Sequence, residues 1–555
     1  MRPDITEHLA AALKDALARA GLPTPDSVFW EVPRDERHGD YATNVAMTLA
    51  REARQPPRKV AEAIVAHFAE PAVVERLEIA GPGFLNVFLR PAWCAAALAE
   101  MLRAGAGYGV SEAGKGTRYL LEFVSANPTG PLVIVNARAA AVGDALARIL
   151  RSLGSAVETQ YYVNDAGNQF QTLARSFEVR LRQLLGEPAE LPAEAYPGEY
   201  LVDLAKEYLA RDPAGARAAL ALPDPLRLTR LGRHAVAEIV AAQRRVLDEY
   251  GTKFDRWIHE AADVRTTGLP ERAIEALTKA GYTFEQDGAL WFRSTELGDD
   301  KDRVLRKSDG ELTYFAVDIG FHHFVKFGEA DWVIDFLGPD HHGHVARIRA
   351  AMEALGHPRE AFDVIIVQLV TLLRDGQPVR MSKRRGEFVL MEELLEEVGR
   401  DAARFTVLTR RHDSPLEFDL AVATRQSADN PVFYVQYCHA RVSSLFRTAA
   451  EQQLALPPWS GVDFGPLTLP EELAIIKRLL QYPGVVAGAG RAREPHRVAY
   501  YLTELAGLFH PYYKAHRIIT DDRALTLARL GLCAAVGQVV SNGLGLLGVS
   551  APERM

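Results

Sequence analysis

Cysteine is scarce: the 555 residues contain three, Cys94, Cys438 and Cys533, far apart and without a Cys-x-x-Cys spacing. So few thiols at such separations suggest neither a disulfide framework nor a zinc or other metal site, and buried, unreactive thiols are the simpler expectation. An excess of positive charge is missing too. Lys and Arg total 64 against 72 Asp and Glu, a net charge of -8. At face value that argues against a nucleic-acid partner, but phosphate binding depends on local basic patches rather than on the chain total. The first fifteen residues hold Asp4, Glu7, His8 and Asp15 in an amphipathic pattern, so they lack the apolar run of a secretory signal. No later stretch is an uninterrupted apolar run of bilayer-spanning length. No membrane association and a cytoplasmic location are therefore expected. There is no internal repeat and no extended low-complexity tract.

What is present is ordinary globular material, 48% hydrophobic and 25% charged, long enough for three or four structural units. Residues 1–110 read as a small α+β module. Leu9, Leu13 and Leu17 recur at helical spacing before Pro23 and Pro25. Val45 with Leu49, and Val60 and Ile64 with Phe68, mark two more helices on either side of Pro56-Pro57. The run from Glu78 to Leu89 reads as a turn followed by a strand. Gly105 to Lys115, rich in Gly and Ala, reads as a linker.

Residues 111–395 open with an apolar strand, Tyr119 to Val124, then a loop with Pro and Gly, an Ala-rich helix through Leu150, and a second strand and loop from Val157 to Gln169. This order predicts an α/β, Rossmann-like parallel sheet with ligands at the carboxyl ends of its strands. An insertion of helices and linkers is expected over about 170–280, after which strands at 333–337 and 364–368 resume the sheet. Residues 396–555 read as helices alone, Ala421 to Arg447, Pro470 to Leu480, His496 to Leu508 and Arg523 to Leu547, making an all-α domain.

Two loops carry the chemistry. In Glu122-Phe123-Val124-Ser125-Ala126-Asn127-Pro128-Thr129-Gly130-Pro131-Leu132, Glu122 and Asn127 would project at a strand end. There a carboxylate can hold an ammonium and an amide can hold a carbonyl or hydroxyl. A helix beginning near Leu132 would offer free N–H groups to phosphate; an ordinary Pro-Gly turn is the competing reading. In Arg380-Met381-Ser382-Lys383-Arg384-Arg385-Gly386, clustered cations suit a departing polyphosphate whose charge grows in the transition state, although a basic run is more often a solvated face.

The two loops together match, in order and spacing, the two signatures of class I aminoacyl-tRNA synthetases. The stretches Ser125 to Pro131, Tyr162 to Gln169, Gly338 to Gly343 and Tyr434 to Tyr437 are similar to bacterial arginyl-tRNA synthetases. His38 to Asn44 and Gly83 to Asn86 resemble the module that holds the tRNA elbow in that family. The resemblance covers essentially the whole chain. It implies arginine, ATP and tRNA-Arg as partners, Mg2+ accompanying ATP as a substrate complex, no tightly bound cofactor, and a monomer. It assigns catalytic roles to Lys383 and Asn136. Asn127, Pro128, Gly130, Asn136, His341, His342, Met381, Ser382 and Lys383 fall to ATP. Arginine would meet Glu122, Asn127, Tyr314, Asp318 and His342; a planar cation with five donors is best gripped by a carboxylate, and Tyr314 and Asp318, four apart, would share a helical face.

Asn44, Phe84 and Asn86 would face tRNA at one end. Tyr434, Gln436, Tyr437 and Arg441, with His439, and Tyr513 in a second group with Phe509, Tyr512, Lys514, His516 and Arg517, would meet the anticodon. At least half of these C-terminal residues are expected to be buried, because helix aromatics usually build core.

The chain departs from the family at one place. Where the family has His-x-Gly-His, this sequence has Val133-Ile134-Val135-Asn136. Val133 can neither donate nor accept a hydrogen bond. Val135 adds a branched side chain where the glycine leaves room for adenine. Asn136 can still donate. A working arginine-tRNA ligase and a tRNA-binding scaffold with impaired adenylation are thus two readings that differ only at residues 133–136. An arginine-binding or adenylating protein without tRNA is a third, opposed by both tRNA-facing modules.

Overall fold

The structure, a computed structural model, describes residues 5–33, 35–339, 342–379 and 389–555. The leucine spacing at the N-terminus becomes the helix Ile5–Arg19, with Leu9, Leu13 and Leu17 fully buried. This helix and the helices Val45–Leu49 and Pro57–His67 pack with a three-stranded antiparallel sheet of β1 (Tyr41–Thr43), β2 (Val74–Ala80) and β3 (Phe84–Leu89), β3 in the centre. Glu78 to Ala80, expected as a turn, end β2 instead. The reversal is confined to Gly81-Pro82-Gly83, so that Ala80 pairs directly with Phe84.

The central sheet is fully parallel. β4 (Arg118–Glu122), β5 (Ala156–Val163) and β6 (Arg256–His259) run outward to one side, and β10 (Trp332–Leu337) and β11 (Phe362–Ile366) to the other, giving the order β11-β10-β4-β5-β6. The connection leaving β4 runs to β5 on one side and that leaving β10 runs to β11 on the other, which creates a topological switch point between β4 and β10, the crevice where such sheets place ligands. The span 170–280, expected to hold helices and linkers only, therefore also supplies the edge strand β6. Its four residues are too few for a periodic signal. Before β10, β7 (Thr283–Gln286), β8 (Ala289–Phe292) and β9 (Arg303–Arg306) form a small antiparallel sheet that the sequence did not suggest.

The region after 395 is not purely helical. β12 (Val370–Arg374) pairs antiparallel with β13 (Gln377–Pro378) and parallel with β14 (Leu416–Asp419). The expected helix from Ala421 to Arg447 is two, Leu420–Ala423 and Pro431–Glu451, because Pro431 takes the first position of a new helix. Helices Pro470–Leu480, Tyr482–Ala492, His496–Ala515 and Arg523–Leu546 complete the domain. Arg523–Leu546 is long and apolar enough to cross a membrane by length and composition, but 67% of its apolar window is buried inside the protein, as befits a core helix.

The supposed linker Gly105 to Lys115 is pinned down. Asn542 Nδ2 donates to the carbonyls of Gly105 and Tyr108, and the Tyr108 hydroxyl donates to Leu479 O. Two buried guanidiniums tie the helix Ile134–Ser152 to the rest. Arg138 donates to the carbonyls of Gln368, Arg411 and Ser414. Arg404 pairs with Asp144 and donates to the carbonyls of Tyr250 and Leu547.

Candidate active site

The first loop leaves β4 in a strained conformation, with Val124 and Ser125 at φ 69° and 36°. Such non-glycine residues cost about 1–3 kcal/mol each and persist only where the surroundings hold them. Here they are held. Ser125 Oγ accepts from the Tyr162 N–H at 3.0 Å, Gln243 Nε2 donates to Gly130 O at 2.9 Å, and the Tyr200 hydroxyl donates to Thr129 O. Gln243 and Tyr200 belong to insertion helices Leu226–Glu249 and Glu199–Arg211, so the insertion braces the loop. Asn127 is exposed on it and Pro128 is buried beneath.

The helix starts at Ile134 with Val133 as its N-cap. Valine has no side-chain acceptor for the first N–H groups of the helix, so only the reciprocal half of a capping box forms, Asn136 Oδ1 accepting from the Val133 N–H at 2.8 Å. Val133 also forms an isolated antiparallel bridge with Leu390, the Ile134 N–H donates to Val389 O, and the Met391 N–H donates to Leu132 O. The chain that leaves the β12–β13 hairpin toward the second loop thus returns directly against the first. Met381, Ser382 and Lys383 lie outside the described residues, as do His341 and the His342 side chain.

Carboxylates gather at the strand ends. Glu122 closes β4; Tyr162 stands near the end of β5, close to the buried Glu260 that follows β6. Burial pushes the Glu260 carboxyl above its ordinary value, although Arg265 Nε at 2.6 Å pulls the other way. Burial first, and then the negative fields of Glu260, Asp318 and Glu122, push the Tyr162 phenol far up. All three acids lie within electrostatic reach of that one phenol. Asp318 and Tyr314 are carried four residues apart on the helix Tyr314–Phe321. Asp318 pairs with His344 Nε2 at 3.1 Å, and the Tyr314 ring is half exposed, facing Arg265. Beneath, Lys326 joins Glu122 to Asp335.

The sequence did not single out Glu260, His344, Lys326, Asp335 or Gln243. His344 directly follows the motif Gly338 to Gly343, which stops one residue short of it. The others had no signal short of the sheet register itself.

The residues expected to meet tRNA divide. Asn44 is exposed and Phe84 half-exposed, but Asn86 is 4% exposed on the central strand β3, between Ala42 and Glu78, and is not offered at the surface. In the C-terminal domain only Gln436, Phe509 and Tyr512 of the eleven residues named are buried, so the expectation of half or more is corrected. Gln436 is absorbed into structure, Nε2 donating to Asp401 and to Ser550 O. Tyr434, Tyr437, Arg441 and Tyr513 form a partly open cluster with His510. Arg441 lies 4.4 Å over the Tyr437 ring, 5.5 Å from that of Tyr513 and 2.8 Å from His510 Nδ1, and Tyr434 is tilted on His510 at 4.5 Å. Cation and rings stabilise each other here, which holds the aromatic faces half exposed instead of collapsing them into core.

Comparison with known proteins accounts for all three units. Residues 4–89 match the arginyl tRNA synthetase N terminal domain, residues 98–427 the catalytic domain of tRNA synthetases class I (R), and residues 435–555 the DALR anticodon binding domain. The chain is 46% identical over 558 aligned positions to the arginine--tRNA ligase of Symbiobacterium thermophilum, covering 100% of this chain and 99% of that protein. It is 47% identical to that of Syntrophotalea carbinolica over the same shares. The solved Thermus thermophilus arginyl-tRNA synthetase superposes with a TM-score of 0.79 at 25% identity, covering 99% of this chain and all of that one. A parallel sheet with acids at its switch point, its signature loop braced by an insertion, and a full-length match on both sides of it lead to one assignment: the chain belongs to the arginyl-tRNA synthetase family.

Proposed function

We propose that this chain attaches arginine to tRNA-Arg through an arginyl-adenylate, in the cytoplasm and as a monomer. The observation that carries the reading is the acid-lined space at the switch point. Arginine offers an ammonium at one end and a guanidinium at the other, and Glu122 and Asp318 stand as complementary charges for them. Tyr314 and Glu260 would serve the guanidinium end, the resemblance adds His342, and the exposed Asn127 amide would meet the substrate carboxylate or ribose. His344 stands beside Asp318 and would share that acid with the guanidinium.

ATP, with Mg2+ as its substrate complex, lies across the first loop. Pro128 and Gly130 shape its floor, and Asn136 serves at the helix N-terminus, where free N–H groups favour phosphate; His341 and His342 are assigned to ATP by their motif alone. With Oδ1 committed to the Val133 N–H, the Asn136 side chain presents its amide donor. Met381, Ser382 and Lys383, on the resemblance of their motif to the family's, serve the phosphates, and Lys383 neutralises the departing pyrophosphate. The arginine carboxylate attacks the α-phosphate in line, and the terminal ribose hydroxyl of tRNA then takes the arginyl group. Neither step needs a side-chain nucleophile, so positioning and charge stabilisation carry the catalysis. Asn44 and Phe84 serve tRNA on one side. Tyr434, Tyr437, Arg441 and Tyr513 serve the unpaired anticodon bases on the other, by stacking and phosphate contact; Asn86 and Gln436 act by shaping those surfaces.

The second reading, a tRNA-binding scaffold with impaired adenylation, draws on Val133 and Val135 alone. The self-contained Asn136 cap favours the first, since the altered segment forms an ordered helix start. The test is ATP–pyrophosphate exchange with tRNA present. Arginine, and not lysine or citrulline, should drive it, and Asp318→Asn should raise the KM for arginine at least thirtyfold, about 2 kcal/mol, with that for ATP unchanged. Exchange driven equally by citrulline would refute the acid-pocket reading.

A further inference from the structure

Glu122 and Asp335 are register neighbours on the adjacent parallel strands β4 and β10, and like charges so placed repel. Lys326 resolves the conflict. Its Nζ lies 2.8 Å from Glu122 Oε2 and 2.7 Å from Asp335 Oδ1, with the side chain 1% exposed. Burial disfavours this ammonium, but the fields of Asp335 and Glu122 outweigh it and hold the proton more tightly than on a free lysine. Asp335 is held far below the ordinary carboxylate range, since Lys326 and His322 overcome its burial.

The chain of contacts does not stop there. Asp335 Oδ2 is 2.8 Å from His322 Nε2, and His322 Nδ1 is 2.7 Å from the backbone oxygen of Asp318. His322 and Lys326 are the first and last residues of a single π-helical turn, His322–Lys326, which continues the helix carrying Tyr314 and Asp318. Wide turns of this kind are rare and concentrate at functional sites. Here the turn puts the histidine and lysine 3.2 Å apart on one side. A continuous buried path thus runs from the carboxylate of Glu122 to the main chain of Asp318, the two acids read above as the ends of the arginine pocket.

We propose that Lys326, with Asp335 and His322, is a positioning network that fixes the spacing between Glu122 and Asp318 and so sets the length of side chain the pocket accepts. The proposal rests on the reading of those two acids as the ammonium and guanidinium partners. A pocket with a charge fixed at each end measures distance, and a ligand one methylene too long must give up contact at one end. An apolar pocket alone distinguishes a methylene by only about 10–200-fold, and it has no means of registering where the ammonium sits.

The test compares arginine with homoarginine, one methylene longer, in ATP–pyrophosphate exchange by the full chain with tRNA present. Lys326→Met should raise the arginine KM ten- to a hundredfold, leave the ATP KM within threefold, and cut the preference for arginine over homoarginine in kcat/KM at least tenfold. If Lys326→Met lacks the far-UV circular dichroism of the native chain, Asp335→Asn, which keeps the shape and removes the charge, carries the test with the same pattern. An unchanged preference, whatever happens to kcat, overturns the proposal, since neutralisation without spacing would lower activity toward both ligands alike. Glu122→Gln separates the two levels. If it raises the arginine KM while the network variants leave the preference intact, only the network fails; if it leaves the arginine KM unmoved, the reading of Glu122 fails and the proposal with it.

Discussion

The side-chain oxygen of Asn136 accepts a hydrogen bond from the backbone N–H of Val133 at 2.8 Å, so the last residue of the altered signature caps the helix that its first residue opens. The acceptor contact of Asn136 and the phosphate-donor role proposed for it sit on different atoms and can be separated. Asn136→Ala loses both; it should cost about 1 kcal/mol in urea unfolding and raise the KM for ATP. Asn136→Asp keeps the acceptor and replaces the donor with a negative charge. Its stability should stay within about 0.5 kcal/mol of the parent, while the KM for ATP rises at least tenfold, about 1.4 kcal/mol.

In the C-terminal domain, the ring of Tyr437 lies under the Arg441 guanidinium, and the proposed function has it stack on an unpaired base. Tyr437→Ala should raise the KM for tRNA by about 5–100-fold, the equivalent of about 1–3 kcal/mol per base, with the KM values for arginine and ATP unchanged. Arg441→Ala should in addition flatten the dependence of tRNA affinity on salt. Charging kinetics at two ionic strengths measure both.

His357 and His323 share a hydrogen bond of 2.8 Å between Nε2 and Nδ1. Burial, and then the neighbouring His323, push the His357 ring down to about 4 from its ordinary 6.5. A depressed folded-state value means that the unfolded chain takes up the proton first. The stability this group contributes is complete above about pH 6.5 and is lost as the pH falls toward about 4. The ring is partly exposed, so the loss is discounted to on the order of 1 kcal/mol. His357→Gln should remove that part of the acid sensitivity, seen as a smaller drop in melting temperature between pH 7 and pH 5 than in the parent.

All three thiols are buried, and burial raises the thiol of Cys94 to about 12 and those of Cys438 and Cys533 further still. The thiolate is the reactive form. Ellman's reagent should therefore find no thiol in the native chain on the timescale of minutes and three after denaturation; a fast-reacting native thiol would contradict the packing around it.

Much of this was legible in the sequence because it is local. The leucine spacing of the first helix, the strand–loop–helix order after Tyr119, and the four-residue step from Tyr314 to Asp318 each write their structure into a few neighbouring residues. What escaped notice depends on pairing across the chain. Leu416–Asp419 is a strand because Val370–Arg374 lies beside it, and four residues reading Leu-Glu-Phe-Asp give no pattern that a helical context would not also allow. Lys326 follows two histidines in a run that reads as an ordinary helix surface; only the register of Glu122 against Asp335 shows why a lysine is buried there. Asn86 failed in the opposite sense. Its motif pointed to a surface role, and the central position of its strand buried it.

The central claim is that the chain as it stands, with Val133-Ile134-Val135-Asn136, charges tRNA with arginine. Loss of a transition-state donor typically costs about 3 kcal/mol, roughly a hundredfold in rate, so the four residues are enough to decide it. The direct measurement is ATP-dependent arginylation of tRNA-Arg by the purified chain beside a version carrying Val133→His, Val135→Gly and Asn136→His. Charging by the parent within about tenfold of the restored form, a difference of about 1.4 kcal/mol, is the predicted result. Charging that begins only after restoration would contradict the account and leave a tRNA-binding scaffold in its place.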